Sequence, residues 1–129
     1  MSSHKNLDVW KLSVKFVVEI YQETSKFPKE EIFGITSQMR RSAISISSNI
    51  AEGSGRQTDK EFIQFLYYSL GSKEELDTQL IIAKQLNYIT QNSFDRLSPQ
   101  LETIGKLLNG LIKYLKTSNK TINQKKQTS

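Results

Sequence analysis

Along most of the chain the apolar residues return every three or four positions, the period of a helix and not of a strand. In the first segment Leu7, Trp10, Val14, Val17 and Tyr21 form one stripe, and Val9, Leu12, Phe16 and Ile20 form a second. Asp8, Lys11, Lys15, Glu19 and Gln22 fill the remaining arc. A surface helix ordinarily carries a single apolar stripe. The helix predicted over residues 7–25 therefore has a face left over for something besides its own bundle.

The stretch "SKFPKEEIFG", with Pro28 and Gly34, breaks the pattern. Thr36 is expected to cap the next helix, over 36–53, whose core face is Ile35, Met39, Ala43, Ile46 and Ile50. "AISIS" alternates like a strand, but only briefly, whereas the helical repeat covers the whole segment. Arg41, Ser45, Asn49, Glu52 and Arg56 follow the same spacing and make a second, wholly polar stripe. Gly53 and Gly55 are suited to left-handed C-cap conformations. Thr58 and Glu61 fit a capping box that opens a helix over 59–87. Phe62, Phe65, Leu66, Ser69, Leu76, Leu80 and Ala83 form its main seam, and Ile63, Tyr67, Leu70 and Ile81 a second. Gly71 and Ser72, near its middle, mark a close crossing or a bend. Phe94, Leu97, Leu101, Ile104, Leu108, Leu111, Ile112 and Leu115 define the last helix. At Pro99 either Ser98 caps and the proline opens the last helix, or a longer helix kinks there; the favoured reading is a short turn at 91–97 and a main helix over 99–116. The polar segment 117–129, with Ile122 as its one large apolar residue, is expected to be a disordered tail.

The pattern predicts an all-α fold: one domain, residues 1–116, forming an antiparallel up-and-down four-helix bundle. The surplus apolar faces predict that identical copies pack into a closed homo-oligomer.

Charge adds an asymmetry. The net charge is +5, and residues 100–129 hold six lysines against one acidic residue, an excess equal to that whole net charge. Such an end either solubilises or meets an acidic partner such as nucleic acid. Lys113, Lys116, Lys120, Lys125 and Lys126 are its candidate contacts. The chain has no cysteine, which removes disulfides, thiol nucleophiles and Cys-based zinc sites. His4, the one histidine, stands near the N-terminus, away from any cluster of ligands. With no signal-peptide core and no apolar run of spanning length, the expected location is the cytoplasm, with no membrane partner.

Signs of catalysis are absent. "GSGRQT" lacks the Gly-Lys-Ser/Thr ending of a phosphate loop and follows a helix, so it reads as a capped turn. Ser45, Ser47 and Ser48 have no histidine base. No enzyme and no cofactor are expected. The polar stripe admits two readings. Arg41 and Arg56 could meet phosphate or carboxylate, with Ser45 and Asn49 adding hydrogen bonds. Alternatively the stripe is a helix–helix interface with internal Arg41–Glu52 or Glu52–Arg56 pairing, the latter at the favourable i,i+4 spacing. Trp10, Tyr21, Tyr67 and Tyr88, at helical spacing with aliphatics, are assigned to the core.

The segments "LDVWKLSVKFVVEIY", "FPKEEIFGITSQMRRSAISISSNIAEGSGR" and "FIQFLYYSLGSKEELDTQLIIAKQLNYI" resemble the four-helix-bundle family of 23S rRNA-intervening-sequence proteins. The resemblance runs from about Leu7 to Leu115, and its motif falls on Arg40, Arg41, Ser45, Asn49, Glu52, Gly53 and Arg56. Ser47 stands where relatives often carry proline, which predicts a straighter second helix. The resemblance implies a closed homo-oligomer, a pentameric barrel, with no catalytic activity, and it suggests association with RNA. A related branch, the accessory variability proteins of diversity-generating retroelements, implies nucleic-acid binding and a reverse-transcriptase partner. The expected function is thus RNA association through basic, backbone-directed contacts. The alternative is a protein-interaction scaffold that binds no nucleic acid of its own.

Overall fold

The computed structural model describes residues 4–128, the side chains of residues 6 and 119–128 excepted. Four α-helices make up the fold: α1 (Asp8–Thr24), α2 (Ile35–Ser54), α3 (Asp59–Gln85) and α4 (Gln91–Thr128). Each packs on its neighbour in sequence and α4 closes back on α1, while the diagonal pairs α1/α3 and α2/α4 stay apart. The bundle's axis is filled by the predicted faces. Phe16 and Ile20 of α1, Met39, Ile46 and Ile50 of α2, Leu66, Leu76 and Leu80 of α3, and Leu97, Leu101, Ile104 and Leu108 of α4 are all fully buried. Each such side chain contributes about 1.5–3 kcal/mol by leaving water.

The broadest contact is α2 on α3. Its register is set by small residues: Ser42 meets Glu75, Ser45 meets Ser72, and the Ser69 hydroxyl donates to the Ile46 carbonyl at 2.8 Å. At the far end Gly53 lies against Phe62 and Phe65. A Cβ on Gly53 would stand 2.7 Å from the Phe65 Cβ and 2.9 Å from the Phe62 Cδ1. Gly53 is therefore a packing glycine within α2, not a left-handed cap; Gly55 follows the helix at φ −87°, and no described glycine has a positive φ.

Other helix ends correct or bear out the local reading. Gly34, not Thr36, occupies the N-cap of α2, and Thr36 is buried within the helix. Thr58 does cap α3, accepting from the Glu61 amide at 3.1 Å. That helix ends in a Schellman turn: the Tyr88 amide donates to Ala83 and the Asn87 amide to Lys84, with Asn87 at φ 62°. α4 begins earlier than Pro99. The Thr90 hydroxyl accepts from the Ser93 amide at 3.1 Å, so the helix starts at Gln91 and runs through Pro99 unbroken. The exposed proline forfeits one backbone hydrogen bond inside a helix already nucleated and capped upstream. α2 likewise runs on through Ser47, whose hydroxyl donates to the Ile44 carbonyl at 3.0 Å. α4 continues through the segment expected to be a disordered tail, and the side chains of Lys120, Lys125 and Lys126 fall outside those described.

α3 and α4 are joined by a buried cation that the periodicity did not reveal. The Lys73 side chain is 7% exposed, with Nζ 3.0 Å from Glu74 Oε1 and 3.3 Å from Glu102 Oε1. Gly105 makes room, since a Cβ there would stand 3.0 Å from Lys73 Cε. Burial alone would lower the Lys73 pKa, but the hydrogen bonds and charges of Glu74 and Glu102 outweigh it and the pKa is raised. Arg96 plays the corresponding role between α4 and α1, bridging Glu19 at 2.9 Å and Glu23 at 3.4 Å.

Candidate polar cleft and basic edge

The polar stripe of α2 lies along its junction with α3. Asn49 Nδ2 donates to both the Ser45 carbonyl at 2.9 Å and Ser45 Oγ at 3.0 Å. Ser45 Oγ also accepts from Ser72 Oγ at 2.8 Å. One turn on, Arg56 pairs with Glu52 at 2.6 Å and lays its guanidinium 4.7 Å from the centre of the Phe65 ring. Of the two internal pairings open to the sequence, Glu52–Arg56 is the one formed. Most of the stripe's hydrogen-bonding capacity is thus spent within the protein, chiefly along its own segment, with Ser72 to Ser45 as the bond that crosses to α3.

Arg40 and Arg41 part company. Arg40 turns toward α1, donating from Nε to Thr24 Oγ1 at 2.9 Å and stacking 4.5 Å from the centre of the Tyr21 ring. Arg41 turns the other way and makes no hydrogen bond or ion pair among the described residues. It lines a cavity of about 340 Å³ between α2 and α3, with Gln38, Ser42, Ser45, Ser72, Glu75 and Gln79. Ser42 donates to Glu75 at 3.2 Å, and Gln79 carries a buried Oε1 with no hydrogen-bond partner. The structure therefore brings Arg41 and Ser45 into one cleft, leaves Asn49, Glu52 and Arg56 on its extension, and excludes Arg40. Glu75 and Gln79, two of the three residues of the cleft's α3 wall, were not among the expected site residues. Their only signal was their spacing from Ser72, at i+3 and i+7 on α3.

Charge is arranged differently on α4. Lys106, Lys113 and Lys116 are exposed and recur at i, i+7 and i+10, one edge of the helix, and none has an ion pair. Lys116 reaches across to α3, where its Nζ lies 2.9 Å from the Tyr67 hydroxyl. Tyr67 and Tyr21, assigned to the core by spacing, stand 44% and 40% exposed, although Leu7, Trp10, Val17, Ile63 and Leu70 of the same stripes pack against the core. Among the described residues no three His, Asp or Glu side chains gather as metal ligands would, and no helix is long and apolar enough to cross a membrane.

Comparison with known proteins agrees with this architecture. The family model "23S rRNA-intervening sequence protein" matches residues 5–110. A solved structure from Bacteroides thetaiotaomicron VPI-5482, described as a protein of unknown function from the S23 ribosomal protein family, superposes with a TM-score of 0.76. It is 29% identical, over 81% of this chain and 95% of that one. No curated protein matches. With the matching model covering α1 to α3 and the first half of α4, the chain belongs to the 23S rRNA-intervening sequence protein family.

Proposed function

We propose that this protein is a non-enzymatic, RNA-associated bundle of antiparallel up-and-down helices, working as a closed homo-oligomer, a pentamer by its family resemblance. It holds RNA through phosphate contacts, with no demand on base sequence. The observation that carries this reading is the contrast in charge pairing. The arginines of the bundle's interior contacts are engaged, whereas Lys106, Lys113 and Lys116 line one edge of α4 without acidic partners. Unpaired cations in a row suit a polyanion, and each phosphate they neutralise releases counterions. The basic residues that follow on the chain, Lys120, Lys125 and Lys126, extend the same charge, and Arg41 adds a further unpaired cation. Symmetry would multiply the edge in an assembly.

The test is binding of generic RNA by the wild type and by K113Q/K116Q, with Arg41→Gln in parallel. Loss of affinity by a similar factor on unrelated sequences supports the reading, and unchanged affinity overturns it. A scaffold reading is favoured by one observation: Phe33 is 94% exposed beside Ile32 at 47%, on the turn between α1 and α2. On that reading F33S abolishes capture of a protein partner while RNA affinity stays negligible throughout.

A further inference from the structure

We propose that the outer face of α3, together with the basic edge of α4, is a ledge for single-stranded RNA on which bases stack against Tyr67 and Tyr68. This rests on the RNA reading above and adds to it a site and a strandedness.

Lys60, Gln64, Tyr67, Tyr68 and Gly71 recur at i, i+4, i+7, i+8 and i+11, and so share one face of α3. All of them are exposed. Tyr67 stands 44% and Tyr68 51% open to solvent. Cations flank the pair on both sides. Toward α2, Arg56, already paired with Glu52, covers Phe65, which meets Tyr68 edge-on at 5.5 Å. Toward α4, Lys116 sits 2.9 Å from the Tyr67 hydroxyl and 5.4 Å from the ring centre. That second distance is nearly the sum of the steps from ring centre to oxygen and from oxygen to nitrogen. The ammonium therefore lies off the hydroxyl edge and leaves the ring's faces uncovered. Beside it a groove of about 430 Å³ is lined by Tyr67, Asn109, Ile112, Lys113, Lys116 and Thr117.

Gly71 is the independent observation. Mid-helix glycine is destabilising, and the fold here does not require it: a Cβ on Gly71 would meet nothing within 4 Å. Gly53 and Gly105 have neighbours that demand their smallness; Gly71 has none, and neither has Gly110, which lies between Lys106 and Lys113 on α4. It lies one turn from both tyrosines and keeps the ledge level at that point. An aromatic face with cations at its margins suits a strand whose bases are free to splay, whereas a duplex keeps its bases stacked internally. Glu74 and Glu75, on the next turn, bound the ledge, so the strand would run toward Lys60 and the α4 lysines.

The experiment compares short fluorescent oligouridine with an RNA hairpin stem, on the full chain, in the wild type, Y67A/Y68A and Gly71→Leu. The proposal expects the wild type to prefer the single strand and Y67A/Y68A to bind it roughly tenfold or more weakly. Gly71→Leu, which favours the helix, should weaken single-strand binding with assembly mass preserved and melting temperature held or raised. Single-strand affinity unchanged in folded Y67A/Y68A and Gly71→Leu overturns the ledge. If those variants still lose affinity to K113Q/K116Q, the broader RNA reading survives. Absence of RNA binding by the wild type overturns both.

Discussion

Gly53 and Gly71 carry the same letter in neighbouring helices and are subject to opposite constraints. At Gly53 a methyl group meets the Phe65 Cβ at 2.7 Å, a contact that cannot yield unless the α3 backbone moves. At Gly71 it meets nothing. Gly53→Ala should cost about 1–3 kcal/mol through overpacking. Gly71→Ala should instead stabilise by roughly 1 kcal/mol through helix propensity. Urea denaturation of the two variants checks both signs. The sequence could not separate these glycines, because helix capping, close packing and an open surface all select the same residue. The polar stripe was more legible. Its members share a spacing, so their common face follows from the helix alone. That Ser45 would bond Ser72, or that Arg41 would be left unpaired, depends on which face of α3 arrives opposite, and no local pattern encodes that.

Between elements, the seam of α3 and α4 is closed by Lys73 with Glu74 and Glu102. The Lys73 pKa is raised in the folded state, so the ion pairing contributes stability that is fully present below the ordinary lysine value of 10.5. It is lost as pH rises through the folded value. Stability of the wild type relative to Lys73→Met should therefore hold constant through neutral pH and decline only in strong alkali. Chemical denaturation of both proteins across that range measures it, and a difference that changes near neutral pH would contradict the assignment. The extents of the elements were legible where a cap had a side chain to show. Thr58 announced α3, and Thr90 was overlooked because Pro99 offered a stronger but misleading start signal for α4. A lysine in a seam of leucines was invisible for a related reason: periodicity reports hydrophobic residues, and a buried charge with exposed partners interrupts it.

At the scale of the molecule, the surplus stripes read from the sequence are only partly outward: Leu7 just before α1, Trp10 and Val17 within it, and Ile63 and Leu70 of α3 pack against the core, while Val14, Tyr21, Tyr67 and Ile81 stand exposed. Val14, Val18 and Tyr21 of α1 and Ile81, Ile82 and Leu86 of α3 stand between 36% and 52% exposed. If copies cover them, Val18→Asp should lower the assembly mass by light scattering while leaving the helical signal intact; an unchanged multimer would remove α1 from the interface. The bundle itself was legible because four amphipathic periods with short connections admit few packings, whereas a neighbour that is another copy, or an RNA, leaves no period in the sequence. The most direct measurement of the central claim is RNA affinity across a salt series, with the assembly mass followed in the same buffers. If Lys106, Lys113 and Lys116 each meet one phosphate of a single strand, log K should fall with log salt at a slope of about −2. An intact assembly whose RNA binding is absent, or indifferent to salt, would contradict the account.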